Sequence, residues 1–127
     1  MIRNQTVEIN HLTVLQIQYL TELEQLEKGR GTIGAVAAKC GVKHPTVSRF
    51  FKSCIEKGYL TESLEFTDKG KKMLRWHQKV QKDVREYLER SGITEGIDDV
   101  LKGMIENIDY RRLEELTKSH MRINKEI

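Results

Sequence analysis

The chain has one proline, two cysteines and an aromatic content of 6%. Two cysteines cannot build the disulfide scaffold of a small secreted domain, and they fit a reducing cytosol. No apolar run approaches the roughly 20 residues that a membrane span needs. The N-terminal stretch MIRNQTVEINHLTV lacks a basic segment followed by a long apolar core, so no secretory signal is expected and the location reads as cytoplasmic. There is no glycine-rich phosphate loop, no nucleophile motif and no pair of carboxylates placed for acid–base work. Glu114-Glu115 and Asp98-Asp99 read as solvated helix faces, and an enzyme is not expected.

What the chain does contain is charge, 32% of its 127 residues, with apolar residues recurring between the charges at helical spacing. That periodicity argues against disorder, and a chain of this size buries about two-thirds of its unfolded surface without staples. The net charge of +3 is unevenly spread. Residues 1–27 carry −3, and residues 86–127 carry −3. Residues 28–85 hold fourteen Lys/Arg against five Asp/Glu, a net +9. A basic block of this kind is the electrostatic footprint expected of a phosphate-backbone binder, although charge alone favours a lysine-rich solvated surface, and the motif inside the block has to decide.

Leu12, Leu15, Tyr19, Leu20, Leu23 and Leu26 recur at three- and four-residue steps, which predicts an amphipathic helix over about 11–28 that stops at Gly29-Arg30-Gly31. Thr32 is placed to cap a short second helix over 33–39, and Cys40-Gly41-Val42 reads as a turn. Pro45 suits the first turn of a third helix ending near Glu56 or Lys57, before Gly58. The segment 59–66 alternates like a small β-hairpin. Thr67-Asp68 caps a long fourth helix with Met73, Leu74, Val80, Val84, Tyr87 and Leu88 inward, ended by Ser91-Gly92. Two shorter helices, about 96–107 and 109–120, carry Ile97, Val100, Leu101, Met104, Ile105, Leu113 and Leu116. The expected fold is mainly α: a winged helix-turn-helix with a small hairpin over residues 1–75, then a helical dimerisation region over residues 76–127.

The segment Ile33–Lys52, IGAVAAKCGVKHPTVSRFFK, satisfies the steric pattern of a helix-turn-helix. Ala37 is small where two helices must approach, Gly41 sits in the turn, and Val47 faces back from the second helix. Val36, Val42, Phe50 and Phe51 fill other inward positions. Lys43, His44, Thr46, Ser48, Arg49 and Lys52, with Ser53, are left to face outward. Arg, Lys, Ser and Thr are donors used for base edges and phosphates, so these residues are the candidate DNA contacts. Lys28, Lys69, Lys71 and Lys72 are candidate phosphate contacts beside them. The tip Thr61-Glu62-Ser63-Leu64-Glu65 has two carboxylates and no cation, a poor fit to the negative minor groove.

From Ile33 onward the sequence resembles the diphtheria-toxin-repressor family, especially its short manganese-dependent branch. The resemblance is carried by Val42-Lys43-His44-Pro45-Thr46-Val47-Ser48, Lys57-Gly58-Tyr59-Leu60, Thr67-Asp68-Lys69-Gly70, His77, Gly92-Ile93 and Asp98-Asp99-Val100. The threonine-x-lysine-glycine step also occurs in the multiple-antibiotic-resistance-regulator type of winged helix. The resemblance implies a dimer joined through C-terminal helices that binds a palindromic operator when a divalent metal is bound. Of the implied metal ligands only His77 matches. Leu15 and Gln18 stand at the first-helix positions, and Lys102, Ile105 and Glu106 at the tail positions. Mn²⁺ or Fe²⁺ wants several oxygen or nitrogen ligands, so His77 and Glu106, helped by Asp109 or His120, make a weak candidate site at most. No cofactor is expected, and the metal switch is expected to be absent.

Cys40, His44 and Cys54 match no common zinc spacing and lack a fourth ligand. Both cysteines read as small core residues. The function expected is sequence-specific binding of double-stranded DNA by a homodimer that represses by occluding a promoter, with no membrane contact. Two alternatives stay open: a small-molecule-responsive regulator of the antibiotic-resistance type, and a winged-helix module that binds protein.

Overall fold

The computed structural model describes residues 12–26 and 31–126, with side chains through Lys118. The expected end of the first helix at Gly29-Arg30, and Lys28 and His120, lie outside the described residues and side chains. Six helices run in order: α1 (Val14–Gln25), α2 (Thr32–Cys40), α3 (His44–Glu56), α4 (Asp68–Arg90), α5 (Ile97–Asn107) and α6 (Tyr110–Glu126). They form two compact units, one of Leu15–Arg75, the other of Trp76–Ile127 with the described residues through Val14. The division falls inside α4.

The first unit buries Ile17, Tyr19, Leu20 and Leu23 of α1, Val36 and Ala37 of α2, and Val47, Phe51 and Cys54 of α3. Tyr59, Leu60, Met73 and Leu74 complete this core. Leu15 and Leu26, expected on the buried stripe of α1, are only half-buried, while Ile17 is the inward residue that the stripe omitted. Tyr19 meets Phe50 edge-on, ring centroids 5.8 Å apart.

Thr32 does not cap α2. Gly31, in the left-handed region at φ 77°, takes that position, and its carbonyl accepts the Ala35 N–H at 2.8 Å. At the other end Gly41 (φ 69°) closes a Schellman turn, its N–H reaching the Ala38 carbonyl and the Val42 N–H the Ala37 carbonyl at 3.0 Å. That turn swings the chain into α3, whose first turn holds Pro45.

The expected hairpin is reduced to a single antiparallel bridge between Leu60 and Phe66, and no strand forms among the described residues. The reason is the local chain. Residues 61–65 are consumed by a tight turn in which the Leu64 N–H bonds the Thr61 carbonyl at 2.9 Å and the Thr61 N–H the Glu65 carbonyl at 2.8 Å. Leu64 is the one non-glycine with positive φ among the described residues, at 64°. On the outer side of the bridge the Thr67 N–H bonds the Tyr59 carbonyl at 3.1 Å, but the Tyr59 N–H still closes α3 and the Thr67 hydroxyl already caps α4, so the ladder goes no further.

Thr67 ties these parts together. Its hydroxyl donates to the Gly58 carbonyl at 2.6 Å and accepts the Gly70 N–H at 3.0 Å, the N-cap bond of α4. Gly70 lies so close to the strap above it that a Cβ would sit 2.0 Å from the Tyr59 carbonyl oxygen. Lys69 donates to the Lys57 carbonyl at 3.0 Å and lies 5.3 Å from the Tyr59 ring centroid. The threonine-x-lysine-glycine step is therefore a clasp joining the wing's base to α4.

The second unit packs Val80, Val84 and Leu88 of α4 against Leu101 and Ile105 of α5 and Tyr110 and Leu113 of α6. Tyr87, expected inward, is half-buried at the edge of this cluster. His77 is fully buried, its ring 4.3 Å from that of Tyr110 and 4.9 Å from that of Trp76. Gln81 donates to the Tyr110 hydroxyl at 3.1 Å. Glu114 is not a purely solvated residue, since it accepts the Trp76 indole N–H at 2.8 Å.

Candidate nucleic-acid interface

The helix-turn-helix geometry follows from three small or branched residues. Ala37 is 4% exposed and Val47 fully buried, so α2 and α3 pack on each other where a larger side chain on either would wedge them apart. Gly41 makes the left-handed turn between them. With Val47, Phe51 and Cys54 inward, α3 exposes Lys43, His44, Thr46, Arg49 and Lys52. Ser48 and Ser53 are half-buried, which places them at the edge of that face rather than on it.

Some cations of the described residues are paired, while others, on this face and also elsewhere (Lys39, Lys82, Arg90, Lys102, Arg111, Arg112), are not, so what marks this face is the clustering of its cations. Arg75 pairs with Glu24, Lys79 with Asp83, Arg85 with Asp98, and Lys118 approaches Glu114. Lys69, expected on phosphate, also donates to the Lys57 carbonyl and lies over the Tyr59 ring. Among the described residues, Lys43, Arg49 and Lys52 have no ion pair or side-chain hydrogen bond, and neither do the exposed Lys71 and Lys72. The first turn of α3 also contains no acidic residue; Lys43 holds its N-cap position and His44 opens it. Cations at a helix N-terminus oppose the helix dipole, and the end as a whole attracts anions.

Beside the start of α3 lies an open cleft of about 500 Å³, lined by Gly31, Thr32, Ile33 and His44 on one side and by residues 62–65 of the wing on the other. Glu62 and Glu65 are both exposed there.

The cysteines and His77 do not assemble a reactive or metal site. Burial pushes the Cys54 thiol up to about 12, and burial with the nearby Glu22 raises that of Cys40, so neither is poised as a thiolate. His77 is packed among aromatic rings, Ile105 is fully buried in the apolar cluster, and Lys102 and Glu106 are exposed. No three His, Cys, Asp or Glu side chains converge among the described residues, and this donor set does not fit a divalent transition metal.

A tight two-helix turn, an exposed and unpaired cationic second helix and a one-bridge wing define a winged helix-turn-helix domain. The family model described as wHTH-PRTase associated matches residues 9–94, about two-thirds of the chain. The chain belongs to that family, a family of winged helix-turn-helix domains. No curated protein and no solved structure matches it. No described helix is long and apolar enough to cross a membrane.

Proposed function

We propose that this protein is a sequence-specific DNA-binding regulator that reads the major groove with α3. The observation that carries this reading is the division of α3 into a buried face and an exposed face. Val47, Phe51 and Cys54 are inward, while Lys43, Arg49 and Lys52 are exposed with no intramolecular partner among the described residues. Lys69, Lys71 and Lys72 extend the phosphate-contacting surface from the start of α4, with Lys69 also donating to the Lys57 carbonyl.

In this reading Arg49 addresses a base edge, Thr46 and His44 contact bases or sugar at the helix start, and Lys43 and Lys52 meet phosphates. Ser48, at the edge of the face, contributes through backbone-flanking contacts. The protein acts as a homodimer through residues 76–127 and represses by occluding a promoter; half-sites would lie about one helical turn apart. It is a binding protein rather than an enzyme, and no metal takes part in the switch that the diphtheria-toxin-repressor resemblance implies.

A titration against genomic fragments, with EDTA and with added Mn²⁺, tests this directly. Selective binding in EDTA is the expected outcome; binding that requires Mn²⁺ would sink the metal-independent reading, and none in either would sink DNA binding. Arg49→Ala should weaken the selected duplex by about 1–3 kcal/mol and random duplex by much less. Equal losses on both would make Arg49 a phosphate contact. Sedimentation at micromolar concentration checks the dimer, which a monomeric mass would overturn.

The family's description supports a second reading, in which the domain works in association with a PRTase. The two readings are compatible, and pull-down of a PRTase with α3 intact and with α3 charge-neutralised distinguishes a partner surface elsewhere from one on α3.

A further inference from the structure

We propose that Glu62 and Glu65 are specificity-determining residues, which hold the wing off the DNA backbone and so suppress binding to random sequence. The proposal rests on the DNA-binding reading of α3 and adds a repulsive element to it. Both carboxylates are exposed, and among the described residues neither is in an ion pair. They face the start of α3 across the cleft that His44 also lines. Exposed charges repel appreciably only within about a Debye length, roughly 8 Å at physiological salt. A phosphate brought into that cleft, against the N-terminal end of α3, meets the carboxylates that line its other side, with a repulsion that weakens as salt rises.

The orientation of the tip is fixed by its own backbone. Thr61 bonds Glu65 twice, the Thr61 N–H to the Glu65 carbonyl at 2.8 Å and the Glu65 N–H to the Thr61 hydroxyl at 3.1 Å. The five-residue turn contains no cation to offset the two charges. A wing built this way cannot add the minor-groove contacts that a cationic wing would make.

Repulsion of this kind acts unequally on the two binding modes. Non-specific association is held by phosphate contacts alone and samples many registers and orientations along the duplex. Many of those carry the wing onto a strand. Base-edge contacts from α3 select one register, in which the wing's distance from the nearest phosphates is set once. Two fixed negative charges thus penalise the random ensemble more than the specific complex, which is specificity by disfavouring the wrong partner.

The test compares the full-length wild type, Glu62→Gln/Glu65→Gln and Arg49→Ala on two probes, a random-sequence duplex and the duplex that wild type selects from genomic fragments. Glu→Gln conserves shape at exposed sites, and a thermal melt verifies that each variant folds. The double variant should bind random duplex about ten-fold more tightly at low salt, an advantage that fades as salt rises, and the selected duplex at most about three-fold more tightly. An equal gain on both probes, or no gain on random duplex, overturns the proposal while leaving DNA binding intact. If wild type binds neither probe, the DNA-binding reading fails. The proposal, which rests on that reading, is then overturned with it.

Discussion

Gly70 is the residue on which the most geometry converges. The Tyr59 carbonyl passes directly over it, leaving no room for a methyl group, and the crowding atom is backbone rather than a movable side-chain end. Gly70→Ala must therefore push the 57–60 strap away from α4, breaking the Thr67 hydrogen bonds to that strap. We expect a loss of about 1–3 kcal/mol, in the range of overpacked core substitutions, read as a lower denaturation midpoint in urea. An unchanged midpoint would mean that the strap can lift without consequence. The sequence held the signal in the threonine-x-lysine-glycine step. It did not hold the reason, because the close approach involves a residue eleven positions earlier. Lys69 shows the same limit from the other side. Its charge in a basic block reads as a phosphate contact, and nothing in the sequence shows that its ammonium also donates to the Lys57 carbonyl.

At the scale of elements, the helix-turn-helix was legible because its constraints are local. Ala37, Gly41 and Val47 sit within eleven residues of one another, and each is the small or branched type that its position demands. The C-terminal helices were legible from periodicity, with α6 running beyond its expected end to Glu126. The wing was not, since alternation over 59–66 signals a strand pair only if enough residues remain on both sides of the turn. Here the end of α3 and the cap of α4 claim them. Thr67 is the joint between those elements: it caps α4 through Gly70 N–H and holds the Gly58 carbonyl at the end of α3. Thr67→Ala should cost about 1–2 kcal/mol of stability, the upper part of the N-cap range, because two bonds are lost together. Thr67→Ser should recover most of it. Failure of serine to rescue would assign the effect to the methyl group instead.

For the whole molecule, the ionisable groups in the two cores set an upper pH limit on stability. Burial pushes the Cys54 thiol in the first unit up to about 12 from its ordinary 9.0, and the Tyr110 hydroxyl in the second up to about 12 from 10.0. Burial raises Tyr19 and Tyr59 in the same direction. Each of these groups is neutral when protonated, and the folded state keeps it so. The stabilisation is therefore complete below the unfolded values, near pH 9, and is lost progressively as pH rises toward 12, since only the unfolded chain releases the proton. Each group shifts the folding equilibrium by up to about ten-fold per pH unit within its window. Thermal melts at about pH 8 and about pH 10.5 should show a clear drop in melting temperature. Tyr110→Phe removes one titrating group and the bond from Gln81, so it should lower stability at pH 8 yet lessen the further loss at high pH. A drop identical to wild type would mean that Tyr110 ionises as easily folded as unfolded, and that the α4–α6 core admits water at its hydroxyl.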